Sequence, residues 1–352
     1  MSPAISVCIP VYATERSLPA CLHSVAAQRG MEAAGLEIIV VDDASPAADP
    51  ELSSIRAGEL SPAADPELSS PARIVAQFQQ ESPWPVVYLE HQENKGILEA
   101  RRTAVQAAIG EFIFCLDSDD TLPPTALATL YRHAVAEDAD IVHGRAQVVV
   151  NREHGCILDS QREATLMEKV QCRARATYLG RLKDGEILQS VLVDKTQNTF
   201  LWGKLIRREL YLHALDSIPS VYCSMADDLL QYVLIAHHAC SYFGIGEVVY
   251  NYTINTGISS HTKITSLERW GQVCSAASVF TVLFHCAKGI RTPFSSEQMS
   301  AIRDLCRFYL INNLQQLQFF VVPELYHEAY ELLCEFWGAG FVHQAERFLQ
   351  EK

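Results

Sequence analysis

Three carboxylates fall within four positions at Asp117-Ser118-Asp119-Asp120, directly behind the apolar run Phe112-Ile113-Phe114-Cys115-Leu116. Such a run, free of Gly and Pro, reads as a buried central strand with the acids at its carboxyl end. Open α/β sheets place their ligand crevice there. Asp117 and Asp119 sit two apart, so an extended backbone would project both to one side. Two hard oxygen donors at one strand end suit Mg²⁺ or Mn²⁺, and the cation in turn would hold a phosphate. A solvated acidic turn is the plain alternative, because Asp and Ser are ordinary turn residues. Two further acid pairs argue for more. Asp42-Asp43 closes the strand pattern Glu37-Ile38-Ile39-Val40-Val41, and Asp227-Asp228 opens the apolar run 229–239. The helix dipole accounts for at least one acid of the last pair. The clusters together describe a metal–diphosphate site with a separate carboxylate base. A divalent metal neutralises charge on a leaving phosphate, and a carboxylate takes the proton of an attacking hydroxyl. Substitution at a sugar carbon with a nucleoside diphosphate leaving group uses both.

These acids need a sheet to hold them. Ile5-Ser6-Val7-Cys8-Ile9-Pro10-Val11-Tyr12 reads as a first buried strand stopped by Pro10, and Leu18, Cys21, Leu22, Val25 and Ala26 recur at helical spacing behind it. With the strand at 37–41 this makes a right-handed β-α-β unit of a parallel sheet, so Asp42 and Asp43 would face the same crevice. The segment 45–54 then reappears letter for letter as 61–70. Two copies at a period of sixteen are too few for a solenoid, so the repeat reads as a duplicated loop, with a lid as the functional alternative. Val86-Val87-Tyr88-Leu89 predicts a third strand. Asn94-Lys95-Gly96 turns into a helix from Ile97 to Ala108, with Gly110 at its C-cap. A helix over 126–136 and a strand over 139–144 complete an α/β unit of residues 1–145. Residues 146–262 form a less legible acceptor-side part, with a helix starting in 201–210 and a last strand over 248–252. From 263 to 352 the pattern is helical. Its apolar stripes predict packing against the catalytic unit, with a homodimer face or a membrane-surface contact as the sharper alternative.

Bulk properties exclude several classes. The 352 residues are 49% hydrophobic and 20% charged, with mean hydropathy +0.04, as in a soluble globular protein. No basic leader or long apolar run is evident, so neither a signal peptide nor a membrane span is expected. A net charge of −14 argues against nucleic acid, whose phosphates need clustered Lys and Arg. The eleven cysteines are scattered with no C-x-x-C pair, which predicts reduced thiols and a cytoplasmic protein.

Seven motifs in order resemble the family 2 glycosyltransferases of GT-A fold. They are residues 5–12, Glu37 to Ser45, Asn94-Lys95-Gly96 with Ala100-Arg101, Gly110 to Asp120, Trp202-Gly203-Lys204-Leu205, Asp227-Asp228-Leu229-Leu230, and Val249-Tyr250-Asn251-Tyr252 with Ile258-Ser259. The resemblance covers roughly residues 5–260. It implies a Rossmann-like, mostly parallel sheet flanked by helices. Pro10, Val11 and Tyr12 would line the base pocket with Glu15 near the ribose. Asp43 would bond a uracil-type base with support from Asp42, and Asn94, Lys95, Gly96 and Arg101 would shape the nucleotide side. Asp117, Ser118, Asp119 and Asp120 would form the D-x-D element, with Asp119 foremost on Mn²⁺ or Mg²⁺, Asp117 beside it and His261 as an additional ligand. Trp202 and Lys204 would border the acceptor or the diphosphate. Asp228, or its neighbour Asp227, would be the base of an inverting displacement. The donor implied is a uridine diphosphate sugar. The acceptor implied is a hydroxyl of a glycan, lipid-linked or otherwise, at or near the inner membrane face. The chain departs from the family at Ala13, where Asn is usual, at Arg102 after Arg101, and in Asp227-Asp228 for Glu-Asp.

Three other classes share parts of this pattern. Asp117-Ser118-Asp119-Asp120-Thr121-Leu122 also spells the first motif of haloacid-dehalogenase-like phosphatases, with Asp117 as nucleophile and Asp119 as acid/base. That motif belongs on a first strand, and here a β-α-β unit precedes it. A nucleotidyltransferase would open with a Gly-rich phosphate loop, which residues 11–16 lack. A non-catalytic nucleotide-sugar-binding protein would have no need of acids at all three sites.

Overall fold

The computed structural model describes residues 3–46, 70–150, 160–254, 263–289 and 293–350. Eight strands form one sheet in the order β3-β2-β1-β4-β7-β5-β8-β6: β1 (Ile5–Val11), β2 (Leu36–Asp42), β3 (Val86–Glu90), β4 (Phe112–Cys115), β5 (Ile141–Val150), β6 (Gly180–Lys183), β7 (Lys204–Arg207) and β8 (Ser241–Ile254). The first four in the chain run parallel. β7 is antiparallel to both β4 and β5, β8 is parallel to β5, and β6 closes the edge antiparallel to β8. This is the mixed, mostly parallel sheet expected of the GT-A type.

The continuous apolar runs arise because both sheet faces are covered. Ile5, Val7, Ile9 and Val11 of β1 join one core with α1 (Leu18–Ala26), α2 (Pro71–Glu81) and α4 (Ala126–Glu137), whereas Cys8 joins the opposite core. That second core includes α3 (Ile97–Ala107), α6 (Gly185–Leu192), α7 (Arg208–Asp216) and α8 (Asp227–His238). It continues into the C-terminal helices α9 (Leu267–Cys274), α10 (Ala276–Gly289), α11 (Ser296–Phe319), α12 (Tyr326–Trp337) and α13 (Ala339–Gln350). Alternate residues face opposite cores, so neither face of β1 is left to solvent.

Several local expectations change. Pro10 does not stop β1; it pairs with Val41 inside the strand. Its missing N–H would face the β4 side, where pairing already ends at Cys8–Cys115, so no ladder bond is lost. Gly110 is not a helix cap, since α3 ends at Ala107. A Cβ there would sit 2.5 Å from Ser6 Oγ and 2.7 Å from Ser6 N, so a bare backbone is what lets the chain cross the start of β1. Residues 204–207 form central strand β7 where a helix start was expected, and the helix begins at Arg208. β8 is also far longer than the predicted 248–252. Among the described residues one stretch, Leu267–Lys288, is long and apolar enough by composition to cross a membrane, but it is mostly buried within the protein and is broken at Ser275. Residues 47–69 of the duplicated loop 45–70, and His261, lie outside the described residues.

Candidate active site

The parallel strands β1, β2 and β4 end on one edge of the sheet; Asp42 is the last residue of β2, and Asp43 and the Asp117–Asp120 cluster follow the ends of β2 and β4. β4 stops at Cys115, and Asp120 N donates to Asp117 O at 3.0 Å, so residues 117–120 form a turn. Asp117 and Asp119 therefore do not lie on an extended strand as expected, although the turn is not a solvated one. Ser118 and Asp120 are buried, and Ser118 Oγ lies 2.8 Å from Thr14 Oγ1. Asp120 faces inward. Its oxygens accept from the Tyr250 hydroxyl at 2.7 Å and from Thr253 N at 2.6 Å. Burial, then the charges of Asp119 and Asp117, push its carboxyl well up. The Tyr250 oxygen also accepts from Asp117 N at 3.1 Å, so one phenol on β8 fixes both ends of the acid turn.

Arg101 joins this turn to the third acid pair. It sits on α3, and its guanidinium is fully buried. Nη2 donates to Asp117 Oδ1 at 2.6 Å; Nη1 donates to Asp228 Oδ1 at 2.5 Å and to Asp227 Oδ2. Asp227 also accepts from Gln231 Nε2 at 2.9 Å. Its side chain is 8% exposed against 20% for Asp228, so Asp228 is the member open to a substrate. Burial raises the Asp228 carboxyl to about 7 against the pull of Arg101, with Asp227 and Asp117 adding to the rise. A carboxylate titrating there can exchange a proton near neutrality.

The second acid pair is enclosed. Asp42 accepts from Ser45 N at 2.9 Å, Ser45 Oγ at 2.6 Å and the Tyr88 hydroxyl at 3.0 Å. Asp43 accepts from Lys95 N at 2.9 Å and Gly96 N at 2.8 Å, and lies 2.6 Å from His91 Nδ1. Its carboxylate therefore shapes the turn that starts α3 and aims Arg101. Gly96 is required there: its φ is +88°, and a Cβ would meet Cys223 O at 2.7 Å. Val11 is buried, Tyr12 and Glu15 are half-buried beyond β1, and the Lys95 side chain is exposed.

Trp202 and Lys204 are internal. Trp202 stacks between neighbours Phe200 (ring centroids 4.3 Å apart) and Tyr250 (4.8 Å). Lys204 Nζ donates to Asn198 Oδ1 at 2.7 Å and to Phe200 O at 2.5 Å, above the Tyr232 ring. Burial pushes its ammonium well down. Sequence reasoning assigned no role to His91, Tyr250, Phe200 or Arg173, the last on α5 (Ser160–Ala174). Tyr250 stood in a recognised motif, but the carboxylate it serves is 130 residues away.

Among the described residues, no group of three or more His, Cys, Asp or Glu side chains is arranged to hold a metal by itself. The donor set still fits a cation held jointly with a ligand. Arg101 takes Asp117 Oδ1 only, and Asp119 is half-buried on the same turn. Mg²⁺-type sites commonly use one or two carboxylates plus substrate phosphate oxygens.

A GT-A sheet with acids beyond β2 and β4 and at the start of α8 defines the class. The Glycosyl transferase family 2 model matches residues 6–54 and 69–207, and the chain belongs to that family. The putative glycosyltransferase EpsH of Bacillus subtilis is 26% identical over 209 residues, covering 59% of this chain and 48% of that protein. The chain spans about half the length or less of the curated relatives it matches. Among solved structures, S. aureus TarS 1–349 in complex with UDP superposes with TM-score 0.51 at 16% identity, covering 100% of this chain and 92% of that one. The mannosyltransferase PcManGT of Pyrobaculum calidifontis, in complex with GDP-Man and Mn²⁺, gives 0.50 at 17% identity, covering 100% and 79%. At these identities the shared property is the fold.

Proposed function

We propose that this chain transfers a sugar from a nucleotide-diphosphate donor, a uridine diphosphate sugar, to a hydroxyl acceptor by metal-dependent inverting displacement. The observation that carries the reading is the single buried guanidinium of Arg101, which holds Asp117 at 2.6 Å and Asp228 at 2.5 Å. A donor-side acid and a base-side acid are thereby fixed to one rigid point, as an in-line displacement at a sugar carbon requires.

Asp119, with Asp117, would hold Mn²⁺ or Mg²⁺ against the diphosphate, and the cation supplies charge neutralisation for the leaving group. Pro10, Val11, Tyr12 and Glu15 border the nucleoside side, and Asp42 and Asp43 hold the loops there. Asp228 takes the acceptor proton. Its greater exposure and its carboxyl near 7 favour it over Asp227, which Arg101 and Gln231 occupy. UDP bound to TarS and GDP-Man with Mn²⁺ bound to PcManGT support a nucleotide-sugar donor by analogy of fold. The role assigned is surface glycan or oligosaccharide synthesis in the cytoplasm, at the inner membrane face.

A thermal-shift screen of nucleotides and nucleotide sugars with Mn²⁺ tests the donor, because a ligand that binds the native state raises its melting temperature. A uridine nucleotide should stabilise most, and no shift with any nucleotide would sink the reading. NMR of the product should show an anomeric configuration opposite to the donor's; retention would exclude the inverting step.

A further inference from the structure

Asp227 and Asp228 both reach Nη1 of Arg101, yet their other surroundings differ. Asp227 Oδ2 accepts a second bond, from Gln231 Nε2 at 2.9 Å, one helical turn further along α8. Gln231 is fully buried, and so is Tyr211 on α7, whose hydroxyl lies 2.7 Å from Gln231 Oε1. The Tyr211 oxygen in turn lies 3.7 Å from Sγ of Cys115, the last residue of β4. A closed circuit of side chains results: Cys115, Tyr211, Gln231, Asp227, Arg101, and back to Asp117 just past Cys115.

The partners fix the Gln231 amide one way round. An ionised carboxylate only accepts, so the amide NH₂ faces Asp227, and Oε1 is left to accept from the Tyr211 hydroxyl. Asp227 thus receives a guanidinium donor and an amide donor on one oxygen, and both favour its ionised form. Burial works the other way. Asp227 is 8% exposed against 20% for Asp228, and the deeper site alone would take the proton first. Arg101 and Asp117 bear on both acids, so they do not tell the two apart, and Lys204 lowers Asp228. The neutral amide of Gln231 is the contact that opposes protonation of Asp227 alone.

We propose that Gln231 is a positioning residue that sets the roles of the two adjacent acids. Its bond keeps Asp227 as the fixed counter-ion of Arg101 and leaves Asp228 as the base. This rests on the glycosyltransfer reading. In the reaction the acceptor hydroxyl gives its proton to Asp228 while its oxygen bonds to the anomeric carbon. The bond from that carbon to the diphosphate breaks, and the nucleoside diphosphate leaves with the electron pair. Tyr211 supports the step indirectly, by holding the amide in the orientation that serves Asp227.

The test is an aspartate ¹³Cγ NMR titration of the full chain, with the two signals identified by Asp227→Asn and Asp228→Asn. In the wild type the Asp227 midpoint should lie at least about one pH unit below that of Asp228, and Gln231→Leu should raise it by about one unit, the worth of a hydrogen bond to a charged group. Gln231→Leu also strips the buried Tyr211 hydroxyl of its acceptor. The double variant Gln231→Leu/Tyr211→Phe removes both partners, so it should keep near wild-type stability and show the same rise. The dissociation constant for UDP with Mn²⁺ should stay within about twofold in both variants, since the relay does not touch the donor. An Asp227 midpoint at or above that of Asp228 in the wild type overturns the proposal, and so does a shift below about 0.3 unit in both variants. A loss of UDP affinity of about tenfold in the double variant overturns it too, because the relay would then serve the donor side. A wild type that binds no nucleotide would tell against the glycosyltransfer reading, while the NMR midpoints would still decide which acid holds the proton.

Discussion

Arg101 Nη1 donates to Asp228 Oδ1 at 2.5 Å, and the same guanidinium holds Asp117 through its other amino group. The strand-end turn and the first turn of α8 are thus joined through one side chain on α3. Replacing Arg101 by Met leaves three carboxylates facing one another in a buried space. Breaking such a pairing by removal of one partner costs about 3–5 kcal/mol. Urea unfolding should show a loss of that size for Arg101→Met and a smaller one for Arg101→Lys, which keeps the charge but not the fork. A change below about 1 kcal/mol in Arg101→Met would refute the hub role.

The pH profile follows from Asp228. As the proposed base, its carboxyl, at about 7, must be ionised to accept a proton, so kcat/KM should fall about tenfold per pH unit below 7 and level off above. The stability effect has the opposite sense. The folded pKa lies above the ordinary carboxyl value of 3.8, so the proton favours the folded state. That contribution is fully present below about pH 4 and lost as pH rises through 7. Asp228→Asn removes the titration, so its stability relative to wild type should rise between pH 4 and pH 7. A pH-independent difference in melting temperature between the two would contradict the assignment.

Tyr250→Phe isolates one hydroxyl. The ring stack on Trp202 survives, but buried Asp120 loses a donor and Asp117 N loses its acceptor. A buried group left unsatisfied costs about 1–3 kcal/mol. Stability should fall by that amount, and Mn²⁺-dependent nucleotide affinity should fall with it as the acid turn loosens. Unchanged affinity would show that the turn holds its shape without the phenol.

Two alanines follow β1 and β2 in the left-handed region, Ala13 at φ +52° and Ala44 at φ +57°. Ala13 stands where the family commonly has Asn, a residue that tolerates this conformation. Left-handed backbone costs a residue with a Cβ about 1–2 kcal/mol, part of which glycine loses again to chain entropy. Ala44→Gly should therefore raise stability by about 0.5–1 kcal/mol, read by thermal unfolding; destabilisation would mean that the Ala44 methyl contributes packing that outweighs the strain.

Much of the donor half was legible because its signals are local. Residues 38–41 and 112–116 are unbroken apolar runs, and each is followed directly by its acids. What escaped depends on distance in sequence. β7 is four residues of mixed Lys, Leu, Ile and Arg, and only its pairing with Phe112–Phe114 on one side and Ile141–His143 on the other makes it a strand. The Asp117–Asp120 turn bends inward because Tyr250 and Thr253 draw Asp120 there, which no local pattern announces. Arg101 was read as a nucleotide-side residue from its motif; its three carboxylate partners lie 16, 126 and 127 positions away.

The proposed division of labour between Asp119 and Asp228 can be measured directly. Mn²⁺-dependent UDP binding should be lost in Asp119→Ala and kept within about threefold of wild type in Asp228→Asn, because a base acting on the acceptor need not touch the donor. Full Mn²⁺-dependent binding by Asp119→Ala would contradict the account at its centre.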